Sequence, residues 1–232
     1  IQHHAAALEQ VSTAALWTDS EAIARSLRNA QSLYDLDAVT LGDGHNIAVA
    51  TRQACFPKLS ALEALAENGP ISEPPSPEAV MATPVVTMYL EACHRVQTVL
   101  ANRAATAIVV PDEETLRSQL AIHDQPGWTR DLLIHTIRTF GPLEPDLFMF
   151  VGMGSQLDPR LRATASHFGA VIVHVSTAHT DDGILCLSTE VLRGADPNTY
   201  DTPESPWLIT TLDEVESDVD PTTLGESLSR SR

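Results

Sequence analysis

Val171-Ile172-Val173-His174-Val175-Ser176 is the stretch on which the fold turns. It reads as a buried β-strand ending in a His. A polar loop from Thr177 to Gly183 follows, carrying His179, Asp181 and Asp182, and then a second apolar strand, Ile184-Leu185-Cys186-Leu187. In parallel α/β proteins the carboxyl ends of the strands are where chemistry collects. Two imidazoles, two carboxylates and a thiol at such an end make this the first place to look for a site.

Working outward, the same alternation recurs. Asp19-Ser20-Glu21 starts a helix that runs to about Tyr34, with Ile23, Leu27, Ala30 and Tyr34 on one face. Asp37 to Leu41 is a strand, with Gly42-Asp43-Gly44-His45-Asn46 as the loop at its carboxyl end. Ile47 to Cys55 and Ser60 to Glu67 are helical, residues 69–77 form a Pro-rich surface loop, and Thr83-Pro84 opens a helix to about Asn102. Thr106 to Val110 is apolar on consecutive positions, the pattern of a strand buried on both faces. Pro111 breaks it, and Asp112-Glu113-Glu114 starts a helix through Leu120. Helix Trp128 to Phe140, strand Asp146 to Val151, loop Gly152-Met153-Gly154-Ser155 and a helix from Asp158-Pro159 to Phe168 lead back to the opening strand. A short helical pattern at residues 5–16 precedes all of this, and Trp207 to Thr210 is a last strand. Five or six strands alternating with helices predict one parallel α/β sheet in a single domain over 1–232, with an acidic, weakly structured segment from about 196.

The composition narrows the partners. A net charge of −17 argues against nucleic acid and anionic membrane surfaces, both of which need positive fields. No apolar run approaches the roughly 20 residues of a membrane span, and Ile1-Gln2-His3-His4 lacks a signal-peptide layout. Cys55, Cys93 and Cys186 are widely spaced and form no CxxC pair, which predicts free thiols in a reducing cytoplasm.

Gly152-x-Gly154 follows a strand, but no third Gly arrives at the dinucleotide spacing, and neither GxxxxGK[ST] nor GxSxG occurs. Asp43 and His45, in a Gly-rich loop at a strand end, are candidates for an acid/base pair or for ordinary turn chemistry. His174 with Cys186 makes a zinc site arguable, although the spacing matches no compact zinc module. Arg52, Arg117, Arg160 and Arg162 are the basic residues nearest strand ends, candidates to meet a substrate carboxylate, with surface helix positions as the expectation for most of them.

Several segments resemble the uroporphyrinogen decarboxylase superfamily, which includes corrinoid and thiol methyltransferases. Tyr34 to Asp43 looks like the family's "yg-DAVtv-D" strand, and Cys55 falls about where the family often has Gly-Cys. Thr115 to Ala121 resembles "GPfTLAsqL", Phe148 to Pro159 the strand, small-residue turn and Ser-Pro stretch that follow, and Gly169 to His174 the segment "g-p-ilH-cG". The resemblance covers roughly residues 19–190 and implies a parallel-sheet (β/α) barrel of TIM type, reduced or incomplete at this length. Departures accompany it. No Arg-rich amino-terminal substrate motif is present, "GPfT" has become Asp112-Glu113-Glu114-Thr115, and Ser176 stands where the zinc methyltransferases carry Cys.

The resemblance implies zinc-assisted methyl transfer to a small thiol or corrinoid. His174, Cys186 and Cys55 would then be metal ligands, and Asp43 and His45 catalytic groups; Arg52, Ser155 and His179, which the resemblance does not require, are candidate substrate contacts by their place near strand ends. A metal-held thiolate stays ionised at neutral pH and attacks the methyl donor. The enzymatic alternative is decarboxylation of a tetrapyrrole or small acid, and the non-catalytic one is a degenerate binding subunit. A small-molecule substrate and a homodimer or larger assembly are the expected partners.

Overall fold

The computed structural model describes residues 9–10, 19–34, 36–42, 46–67, 69–100, 103–122 and 127–176, and the backbone of two short strands at 184–186 and 208–210. The central feature is a parallel sheet. β1 (Ala38–Leu41), β2 (Ala105–Pro111), β3 (Leu147–Gly152) and β4 (Val171–Ser176) lie side by side in chain order. Register places Ile108, Phe148 and Ile172 in one row and Val110, Phe150 and His174 in the next row towards the carboxyl ends.

Parallel neighbours need long crossovers, and helices supply them. α1 (Ser20–Tyr34) leads into β1. Between β1 and β2 run α2 (Asn46–Cys55), α3 (Ala61–Ala66), α4 (Pro77–Met81) and α5 (Pro84–Leu100). Between β2 and β3 run α6 (Glu113–Leu120), α7 (Trp128–Phe140) and a 3-10 turn, Gly141–Leu143. α8 (Pro159–Ser166) joins β3 to β4.

The helix starts follow from local chemistry. Asp19 Oδ1 accepts the N–H groups of Glu21 and Ala22 ahead of α1. Ser60 and Glu63 form a reciprocal capping box on α3, and Asp112 and Asp158 cap α6 and α8. On the sheet, Val39, Leu41, Ile108, Val110, Phe148 and Phe150 face the helix layer and join the main core. The opposite face buries Ala107, Leu147, Met149, Val173 and Val175 in a second cluster. Both faces are apolar, which is why the strands read as continuous rather than alternating hydrophobic runs.

The helices and strands expected between residues 19 and 176 are present, with ends shifted by a few residues, but four details differ. A helix, α4, begins at Pro77 inside the stretch read as loop, because Ser76 caps it and Pro is well placed in a first turn. Pro111 is the last residue of β2, paired with Val151, rather than its breaker. β4 runs on to Ser176, so His174 lies two residues inside the strand end. The last correction concerns the sheet itself. β5 (Ile184–Cys186) pairs with β6 (Leu208–Thr210) in a separate two-stranded parallel sheet, so the strands do not form one sheet of five or six. The connection at 177–183 is shorter than the dozen or so residues a parallel neighbour of β4 would need. Of the helical pattern at 5–16 only residues 9–10 are described, as a turn, and the acidic stretch near the end lies outside the described residues. No described helix is long and apolar enough to cross a membrane.

Candidate functional site at the carboxyl ends of β2, β3 and β4

Three adjacent strands bring together groups that are far apart in the chain. Asp112 follows β2 directly, the turn Gly152-Met153-Gly154-Ser155 leaves β3, and His174 projects from β4 on the same side as Phe150. His174 Nε2 lies 3.5 Å from Asp112 Oδ2, with the two residues 1% and 2% exposed.

The carboxylate is fixed from two directions. Oδ1 accepts the Thr115 N–H at 2.7 Å, which caps α6, and Oδ2 accepts the Gly154 N–H at 2.7 Å. The Asp112 N–H donates to Val151 O at 3.0 Å, and the Met153 N–H donates to Thr115 Oγ1 at 2.9 Å. Burial by itself pushes the Asp112 carboxyl up. The contact with His174, the two backbone N–H groups and the Thr115 hydroxyl outweigh it and hold Asp112 below the usual carboxylate value. An ionised Asp112 facing an imidazole orients the ring.

The two glycines of the turn have a packing reason. A Cβ on Gly152 would collide with Thr115 Oγ1 and stand 2.7 Å from the Asp112 carboxyl, and a Cβ on Gly154 would stand 2.9 Å from Asp112 Oδ2. The Gly-x-Gly pattern therefore serves a close approach to a carboxylate, a use distinct from nucleotide binding.

Around this centre lie further charges. Glu113, the first residue of α6, is half-buried, and burial pushes its carboxyl above the ordinary value despite the nearby Arg130 guanidinium. Arg130 Nη1 is 3.5 Å from Asp158 Oδ2. Met153 and Ser155 are the exposed members of the turn.

The residues singled out from sequence fare unevenly. Asp43, His45 and His179 lie outside the described residues, and for Cys186 only the backbone is described, within β5. His174 is at the centre, and Ser155 is two residues beyond Met153, in the turn above it. Arg52 is 5% exposed, and its terminal nitrogens donate to Gly69 O at 2.8 Å and Gln119 O at 2.9 Å. That ties α2 to the last turn of α6 and to the loop after α3. Cys55 closes α2 and is half-buried, and burial pushes its thiol up in spite of the Arg52 charge. Among the described residues no three His, Cys, Asp or Glu side chains converge as a metal would require. His174 and Cys55 therefore share no such group with a third described donor.

Asp112 was missed as a site residue. The signal existed: it stands at the carboxyl end of a strand, the same argument that drew attention to Asp43.

No family model matches the chain, and no curated protein does. The likeness to the uroporphyrinogen decarboxylase superfamily thus rests on the quoted segments alone.

Proposed function

We propose that this chain is an α/β enzyme that handles a proton at His174, with decarboxylation of a small or tetrapyrrolic acid as the favoured reaction. One observation carries this reading: the buried imidazole of His174 faces a carboxylate held in place by backbone amides at adjoining strand ends. As CO2 leaves, the bonding electron pair stays on the substrate carbon. An imidazolium at His174 offsets that charge and then donates a proton to the carbon. Asp112 remains ionised and faces the ring. Neither residue is open to solvent, so substrate access requires movement of the elements that cover them.

The sheet, in this reading, is the first half of a (β/α) barrel of TIM type, where strand order equals chain order. A homodimer in the cytoplasm acting on a small molecule belongs to the same reading. Zinc-assisted methyl transfer through His174, Cys186 and Cys55, to a thiol or a corrinoid, draws less support. The group facing His174 Nε2 is a carboxylate, and Cys55 is held towards its neutral thiol.

The test is CO2 release from a panel of small carboxylic acids and carboxylated tetrapyrroles, using the full chain, Asp112→Asn and His174→Gln. Turnover by the full chain, reduced on the order of a hundredfold or more in both variants, is expected for a lost acid/base group. An inert chain, or variants as active as the parent, would sink the proposal.

A second reading is favoured by the burial itself. A fully enclosed His–Asp pair between sheet and helices also serves as a polar cross-brace in a non-catalytic binding subunit. Variants that lose stability, in a chain that releases no CO2, would select it.

A further inference from the structure

We propose that Thr115 is a positioning residue that sets which nitrogen of His174 carries the proton. The inference rests on the reading of His174 and Asp112 as a working pair, and its test separates the two.

Asp112 Oδ2 meets two groups at once: the Gly154 N–H at 2.7 Å and His174 Nε2 at 3.5 Å. What keeps this oxygen between them is the height of the β3 turn. That height is set by Thr115, whose Oγ1 accepts the Met153 N–H at 2.9 Å. The same residue's N–H holds Oδ1 at 2.7 Å, so the carboxylate is clamped against rotation from the helix side and from the turn side. Thr115 holds the Asp112 carboxylate on one side and the β3 turn on the other, and acts on His174 through Asp112. Its backbone bond to Oδ1 survives any substitution, whereas the hydroxyl does not. Removing the hydroxyl frees the Met153 N–H, loosens the Gly154 contact and lets the carboxylate turn away from its present position. A carboxylate 3.5 Å from Nε2 favours the neutral tautomer with the proton on Nε2, because a lone pair there would face the carboxylate charge. Without the clamp that preference weakens.

The readout is the pair of imidazole nitrogen chemical shifts of His174 in the full chain, measured at one fixed pH where the ring is neutral. The parent is expected to show the Nε2–H form as the dominant species. Thr115→Val, nearly the same shape, should shift the signals towards a mixture of tautomers, and Thr115→Ser, which keeps the hydroxyl, should restore the parent pattern. A Thr115→Val spectrum identical to the parent would overturn the proposal, as would a Thr115→Ser spectrum that matches Thr115→Val. Asp112→Asn is the arm for the underlying pair. If it leaves the tautomer unchanged, the reading of Asp112 as the partner of His174 fails. If it changes the tautomer while Thr115→Val does not, only the role of Thr115 fails. Should Thr115→Val not fold, Thr115→Ala is read against Thr115→Ser in its place.

Discussion

Asp112 Oδ2 sits 3.5 Å from His174 Nε2 while also accepting the Gly154 N–H, so a single oxygen joins β2, the β3 turn and β4. The acid sensitivity of the fold follows from this arrangement. The folded state holds Asp112 below its unfolded value, so its contribution is present above about pH 4 and is lost as pH falls through the lower, folded value. Urea unfolding between pH 6 and pH 2.5 should show the parent losing stability over the acid end of that range. Asp112→Asn should be less stable at pH 6, by roughly 1–3 kcal/mol for a disturbed buried hydrogen-bond set, and flatter towards acid. Parallel curves for the two proteins would contradict the assignment.

The glycine turn gives a second expectation, free of any assumption about activity. Gly152→Ala and Gly154→Ala push a methyl group into the Thr115 hydroxyl and the Asp112 carboxylate, both of which are fixed by hydrogen bonds from backbone N–H groups. Each should cost about 1–3 kcal/mol, the usual range for overpacking. Gly169→Ala is the control. Its φ is +75°, yet nothing lies within 4 Å of an added Cβ, so only the conformational cost of roughly 1 kcal/mol applies. Denaturant melts that rank Gly169→Ala as the most harmful would show that the turn yields easily.

The contrast between these two positions also shows what a chain of residues discloses. β2, β3 and β4 were legible because consecutive apolar residues, such as Ala107 to Val110 and Phe148 to Val151, fit only a strand covered on both faces. α6 was legible from Pro111-Asp112-Glu113-Glu114, a local start signal. The second task of Asp112 was hidden, since it depends on Gly154, 42 residues later, and on His174 in a third strand. No local pattern encodes a contact of that range. The destination of Arg52 was hidden for the same reason, as its acceptor Gln119 O is 67 residues away. Where β5 pairs could have been anticipated from the short 177–183 connection, a matter of counting residues rather than of propensity.

Arg52 was expected to meet substrate, and its geometry makes it a brace. Both terminal nitrogens are engaged with carbonyls, so Arg52→Met should leave Gly69 O and Gln119 O without their charged donors. A loss of about 2–4 kcal/mol is expected from two charge-assisted bonds at a buried position. The loss should be the same with and without any added small carboxylic acid. A variant as stable as the parent but weaker in ligand binding would return Arg52 to the substrate role.

The cysteines supply the last test, and it bears directly on zinc. A thiol binds metal or attacks an electrophile only as thiolate. Burial raises Cys55, and it pushes Cys93, buried in α5, up to about 12. With iodoacetamide at pH 7.5, Cys55 should therefore label more slowly than a free thiol, and faster as pH rises towards alkaline values. Cys93 should stay unlabelled until denaturant opens the core. Mass spectrometry of proteolytic fragments resolves the sites. A zinc-held Cys55 behaves differently: the metal protects it, and a chelator releases it. If a chelator accelerates the labelling of Cys55 while leaving Cys93 untouched, and stoichiometric zinc leaves with it, then a ligand role for Cys55 replaces the neutral thiol inferred from its burial.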